Sequence, residues 1–171
     1  MADVTAMDPA LAETVDYLAL RRLQSAYADV VTRRAWPELE KLFVPDALVE
    51  IDTRDGNVIR IEGPRAFGEF VANAIEQFAF FEFVVLNTVV DIGAGDRMDT
   101  ADGRVYMCEL RSVRESHRWN NAFGVYHDQY RRLDGRWWFT RRRYHSLART
   151  AADGETVDSF DFPRDLVLGG L

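Results

Sequence analysis

Apolar positions along this chain switch between two periods. Beyond Pro9, Leu11, Val15, Leu18, Leu23, Tyr27, Val30 and Val31 recur at helical spacing, with Arg21, Arg22, Ser25, Asp29 and Arg33 largely on the other side. Asp8 is placed to cap this helix, Pro9 to occupy its first position, and the pattern runs out near Arg34. Trp36-Pro37 opens a short second helix over 37–43, which Val44-Pro45-Asp46 closes. Residues 47–52 alternate as a strand, Asp55-Gly56 turns the chain, and 58–61 return. Gly63-Pro64 starts a third helix with Phe67, Phe70, Val71, Ala74 and Phe78 as its stripe. Residues 80–92 then read as a long strand apolar on both faces, 93–103 as a polar connection and 104–114 as another strand.

The stretch 118–146 carries the strongest pattern, two aromatic and branched runs around Leu133-Asp134-Gly135. Each arm has room for well over the five or six residues of an ordinary strand, which points to a strongly curved sheet around a core or cavity. Two registers are open. A two-residue turn at Asp134-Gly135 pairs Leu133 with Arg136. A three-residue loop pairs Arg132 with Arg136, and further along Tyr126 with Arg142, Gly124 with Tyr144 and Tyr130 with Trp138. The choice matters because a one-residue slip turns the other face of a strand inward.

The order helix, helix, hairpin, helix and four strands predicts an α+β fold: a curved antiparallel sheet covered by three helices from the N-terminal half. We divide the chain into a tail at 1–10, a single domain at 11–150 and an acidic segment at 151–171. The last has Phe160, Phe162, Leu166 and Leu168 as anchors and reads as a lid, a swapped arm or a frayed tail.

Composition narrows the function classes. The 171 residues carry 21 Lys plus Arg against 28 Asp plus Glu, a net charge of −7, which disfavours nucleic acid. No apolar run approaches the ~20 residues that span a bilayer. The one cysteine, Cys108, permits no internal disulfide and suits a reducing, cytoplasmic setting, and the acidic N-terminus lacks a signal-peptide pattern. His117, His127 and His145 have no clustered spacing, so no metal is expected. Gly93-Ala94-Gly95 does not lead into a helix and carries no phosphate-binding pattern.

Three segments in this order, LQSAYADVVTRRAWPELEKLFVPDALVEID, NTVVDI and GVYHDQYRRLDGRWWFTRRRYHSL, resemble the SnoaL-like family of the nuclear-transport-factor-2-like, cone-shaped α+β fold, over roughly residues 11–148. The resemblance implies an apolar pocket inside the cone. It leaves activity open, because the fold hosts dehydratases, isomerases, cyclases, carriers and structural subunits. Family dehydratases and dehydrochlorinases use an Asp–His pair. The Asp follows a helical tyrosine by five residues, here Tyr27, which puts Thr32 at that position. The His precedes a strand asparagine by four, here Asn87, which puts Phe83 there. A shifted alignment would offer Asp29, almost a helical turn earlier. The base of the ketosteroid isomerases matches Ile51, and their oxyanion tyrosine matches Tyr27. Both halves of the pair are therefore replaced by groups that do no acid–base work.

The family also places the position of Tyr126 inside, which selects the three-residue register. Met107, Glu109 and Val105 then face the cavity, Asn120, Ala122 and Gly124 leave room for a ligand, and Phe78, Phe81, Phe83 and Val49 close an apolar end. Tyr27, Tyr126, Tyr144, Asn120 and Arg142 form a candidate polar rim for a carbonyl, phenol or carboxylate. The competing reading makes the tyrosines core residues with satisfied hydroxyls. Glu109 is the candidate base, set against an ion pair with Arg142 or Arg111. Asp128, with Thr140 opposite, carries the same ambiguity. His127 and His145 should face outward, and Trp119 and Trp137 should cover a subunit interface of a dimer or trimer.

Tyr27, Glu109, Tyr126 and Arg142 are thus the catalytic candidates. Thr32, Val49, Ile51, Phe78, Phe81, Phe83, Asn87, Met107, Asn120 and Tyr144 are the pocket candidates. The expected protein is a cofactor-independent lyase, isomerase or cyclase acting on a small lipophilic, polyketide-, steroid- or aromatic-like molecule. The alternatives are a carrier or sensor of such a ligand, or a structural subunit of a larger enzyme.

Overall fold

Four strands of 14 or 15 residues dominate the computed structural model, which describes residues 8–93, 97–151, 153–164 and 168. Most of the expected N-terminal tail, Ala94, Gly95 and the tail anchor Leu166 lie outside the described residues. The elements run α1 (Pro9–Thr32), a 3₁₀ helix (Trp36–Lys41), β1 (Phe43–Asp52), β2 (Val58–Glu62), α2 (Pro64–Ile75), β3 (Phe78–Ile92), β4 (Thr100–Val113), β5 (Trp119–Leu133), β6 (Arg136–Thr150) and β7 (Val157–Ser159). The sheet order is β2-β1-β6-β5-β4-β3, with β7 on the far end of β6. All pairs are antiparallel except β1 with β6, which run parallel. The result is the α+β architecture that the pattern predicts.

Local chemistry explains the ends of α1. The Asp8 carboxylate accepts from the Ala10 and Leu11 amides, meeting two donors that have no partner inside the helix. At the other end Arg34 takes φ 57°, the Arg34 amide donates to Val31 and the Ala35 amide to Val30, a Schellman closure. The apolar stripe needs one correction. Leu20, Leu23, Tyr27, Val30 and Val31 are buried, whereas Leu11, Val15 and Leu18 lie on the opposite side of the helix and are exposed. The first turns of α1 lack a partner surface, so their apolar positions say nothing about the core. Phe78 also belongs to β3 rather than to the preceding helix, which ends at Ile75.

The central hairpin takes the two-residue turn, with Asp134 at φ 50° and Gly135 at φ 75°, and Leu133 opposite Arg136. This overturns the three-residue loop. Near the turn Tyr130 faces Phe139, not Trp138, and Trp137 points inward, buried, with its indole N–H donated to Asp16 at 2.9 Å. Trp137 is therefore no part of an outer surface, while Trp119 stays 60% exposed. Further up, a bulge between the Gln129 and Tyr130 pairs restores the parity of β6, so that Tyr126 faces Tyr144 and Asp128 faces Arg142. The inner face of β5 and of mid-β6 is thus the one expected, although every pairing partner differs.

Candidate functional site

Arg142 and Asp128 meet at the narrow end of the cone, and neither is exposed by more than 1%. Nε and Nη2 of Arg142 each donate to Asp128 at 2.8 Å. Asp128 also accepts from the Tyr130 hydroxyl, which accepts from Gln24, which in turn accepts from Thr88. The chain of bonds ties α1 to β3, β5 and β6. The Arg142 guanidinium lies 4.0, 4.2 and 4.4 Å from the ring centres of Tyr27, Tyr126 and Phe139. Burial works against its charge, but Asp128 outweighs it and holds the guanidinium protonated.

Above this floor opens a cavity of about 230 Å³. Tyr27 and Val31 of α1 and Phe67, Phe70, Val71, Ala74 and Ile75 of α2 wall it on the helical side. Val49 and Ile51, Phe78 and Phe83, Glu109 and Arg111, Ala122 and Tyr126, and Tyr144, Ser146 and Arg149 wall it from the sheet. A wider, more open surface cleft beside Glu40, Pro45, Glu62 and Arg65 has an ion pair, Arg65 with Glu69, that is well exposed on both sides. Its charged lining residues, Glu40, Glu62, Arg65 and Glu69, are all exposed, so the cone is the better candidate.

Strand register explains how the lining comes together. Phe83, Glu109, Ala122 and Arg149 form one row across β3, β4, β5 and β6. Small Ala122 leaves space between the two charged neighbours. Gly124 is required for a similar reason, since a Cβ there would collide with the ring of Tyr144. Glu109 accepts from Arg111 Nη1 at 3.2 Å through Oε2, and Oε1 accepts from no described residue. Arg111 lies 4.9 Å from the Phe78 ring centre and donates its remaining edge to the carbonyl and side chain of Asn120.

Burial pushes the Glu109 carboxyl above its ordinary value, with Arg111 opposing. The tyrosines remain neutral donors. Burial raises Tyr27, with Arg142 opposing, carries Tyr126 well above the usual phenol range, and with Glu109 pushes Tyr144 to about 12.

The structure thus brings Tyr27, Glu109, Tyr126, Val49, Ile51, Phe78, Phe83 and Tyr144 together around one space. Arg142 sits behind the tyrosine rings rather than on the cavity surface, and Asn120 holds Arg111 in place. Thr32 Oγ1 accepts the Phe83 backbone amide at 3.0 Å, so the Thr32 hydroxyl makes a structural bond while the Phe83 ring lines the cavity. Met107 and Phe81 are buried in the core outside the lining, and Asn87 lies on the exposed face of β3, where a bulge follows Val85. His145 stands on the outer face as expected, yet is buried, with Nδ1 3.2 Å from Asp52.

Arg149 and Ser146 were not among the sequence candidates. A second bulge, at Leu147, shifts the pairing between Gly124–Ser146 and Phe123–Ala148, so Arg149 rather than Ala148 joins the inner row. Strict alternation hides it. The described part of the C-terminal segment pairs β7 with β6 and lays Phe162 beside Tyr106 and Arg104.

Solved structures of other proteins share this fold. A putative scytalone dehydratase from Novosphingobium aromaticivorans superposes with TM-score 0.67 at 18% identity, covering 88% of this chain and 91% of that one. Hexachlorocyclohexane dehydrochlorinase LinA-type3 from Novosphingobium barchaimii superposes with TM-score 0.70 at 20% identity, covering 90% and 99%. A protein with a cystatin-like fold, also from Novosphingobium aromaticivorans, gives 0.69 at 20%, covering 86% and 92%. At such identities the likeness is one of fold. No curated protein matches the chain by sequence. The family model of the SnoaL-like domain matches residues 12–143, most of the 171, and the chain belongs to that family.

Proposed function

We propose that this protein binds a small lipophilic molecule in the cone and acts on it as a cofactor-independent lyase or isomerase, with Glu109 as proton acceptor. The observation that carries this reading is the setting of Glu109. Its carboxyl stands in the cavity wall, burial raises its affinity for a proton, and Oε1 accepts from no described residue. Such a base is tuned toward neutral pH. The tyrosines supply neutral donors, and a ring of donors in a site shielded from water stabilises negative charge as it develops. The cavity of about 230 Å³ is below the ~300–1,000 Å³ of drug-sized pockets, which suits a molecule of one or two rings.

The names of the structural relatives favour elimination as the reaction. Glu109 removes a proton from the carbon next to the one bearing a hydroxyl or halogen. The C–H electron pair forms the new double bond, and the leaving group departs with its own bonding pair. The test is a panel of hydroxylated and halogenated ring compounds, scored for binding and, by mass spectrometry, for loss of water or hydrogen halide. Glu109→Gln should keep ligand affinity while turnover falls by about 10² or more. Undiminished turnover in this variant would remove Glu109 from the mechanism.

A carrier or sensor is the second reading. It is favoured by Thr32 and Phe83, because the positions that the resemblance assigns to the acid–base pair carry a hydroxyl bonded to a backbone amide and an apolar ring. Binding without product across the panel would establish it. Exposed Phe80, Leu86, Trp119 and Phe123 on the outside of the sheet favour association, with copies of this chain or as a subunit of a larger enzyme. Light scattering of the purified protein distinguishes a homo-oligomer from a mixed complex.

A further inference from the structure

We infer that the mouth of the cone is an anion site, in which Arg149 holds the carboxylate of a ligand whose apolar body fills the cavity. This rests on the pocket reading above and adds the class of ligand.

Three observations converge. The first is charge. In a chain of net −7, the charged residues lining the cavity among the described residues are two arginines, Arg111 and Arg149, and one glutamate, Glu109. The second is the state of those arginines. Arg111 spends Nε, Nη1 and Nη2 on Asn120 and Glu109. Arg149 is held but not neutralised. Its Nη1 donates to the Thr53 carbonyl at 3.0 Å, and its guanidinium carbon lies 5.3 Å from the Phe160 ring centre. The acid paired with it among the described residues, Asp158, is 3.8 Å from Nε and half-exposed, so water weakens the pair. Asp55, whose carboxyl is held down mainly by its own turn's hydrogen bonds and slightly by Arg149, is fully exposed and closes no bond with it. A guanidinium braced against an aromatic face, with an edge left over, is well suited to a planar carboxylate.

The third is register. Glu109, Ala122 and Arg149 occupy one row on three adjacent strands. Strands lie about 4.8 Å apart, which sets the Glu109 and Arg149 backbones roughly 10 Å apart across the small Ala122. A carboxylate on Arg149 would therefore place its neighbouring carbons over Ala122, facing Glu109, with the apolar body toward Phe83 and Tyr27. The bulge at Leu147 is what makes this possible, since unbroken alternation would put Ala148 in the row.

A matched pair of ligands tests the proposal: 2-naphthoate, and 2-acetylnaphthalene as its neutral near-isostere, titrated by calorimetry at pH 7. Wild type should bind the naphthoate at least about tenfold more tightly than the ketone, the range of one charge-assisted hydrogen bond. In Arg149→Gln the preference should vanish, and an unchanged circular-dichroism spectrum with cooperative unfolding shows that the variant is folded. Arg149→Lys should retain part of the preference. Equal binding of the two ligands by wild type, or a preference that survives Arg149→Gln, overturns the anion site and leaves the pocket reading standing. Failure of both ligands to bind wild type overturns the lipophilic-pocket reading and the anion site with it.

Discussion

The two ends of the cone use the same residue types to opposite ends. At the narrow end Arg142 and Asp128 are joined by two bonds of 2.8 Å, and Tyr130, Gln24 and Thr88 complete the network. At the wide end Glu109 and Arg111 share one bond of 3.2 Å, and one carboxylate oxygen accepts from no described residue. Both Asp128 oxygens and two of the three Arg142 nitrogens are filled, while the buried Nη1 has no hydrogen-bond partner among the described residues; because a buried charge that loses its partner costs several kcal/mol, the pair is a scaffold. A charge that keeps an unfilled position beside a cavity is available to a ligand. The contrast teaches that the same pair of side chains becomes support or site according to whether the position left unfilled faces the core or the cavity.

The largest effect should come from breaking the closed end. Asp128→Ala, which strands the buried Arg142 charge, should cost about 3–5 kcal/mol in urea unfolding. Arg111→Met at the open end should cost less, about 1–3 kcal/mol, because the Glu109 carboxyl left behind lines the cavity and can take up a proton. Equal losses would erase the distinction between the two ends. Next comes Gly124→Ala, which drives a methyl group into Tyr144. It should cost about 1–3 kcal/mol and also weaken ligand binding, since Tyr144 lines the cavity. Tyr130→Phe removes a hydroxyl that bridges Gln24 and Asp128 and should cost about 1–2 kcal/mol with no change in ligand affinity.

The smallest effect is in pH dependence. Folding raises the Glu109 pKa above its ordinary 4.5. Its contribution to stability is therefore fully present below 4.5 and lost as pH rises through the raised folded value. Glu109→Gln carries no such slope, so the stability of the variant relative to wild type should increase with pH across that window, as measured by denaturant titration. A relative stability that falls with pH would show that Arg111 outweighs burial.

Much of this was legible in the chain. Asp8 before Pro9, the break near Arg34, Gly63-Pro64 and Asp134-Gly135 each act within a few residues, and the structure forms its ends and turns there. The outward stripe of α1 was misread because helical spacing alone does not reveal which side meets a partner. Trp137 was misplaced because one residue in the turn reverses the faces beside it.

Because caps, turn residues and apolar periods act over short range, the sequence by itself determined the main elements and their order, the α+β class and the family, but not β7 or the start of β4 at Thr100. Tertiary structure alone decided which side chains share the cavity. Bulges beside Tyr130 and at Leu147 carry no clear mark in composition, yet each changes the parity of the strand beyond it. The first returns Tyr144 to the inside, and the second brings Arg149 there. A strand sends alternate side chains to opposite faces, so one extra residue, placed by the curvature of the whole sheet, decides what meets a ligand.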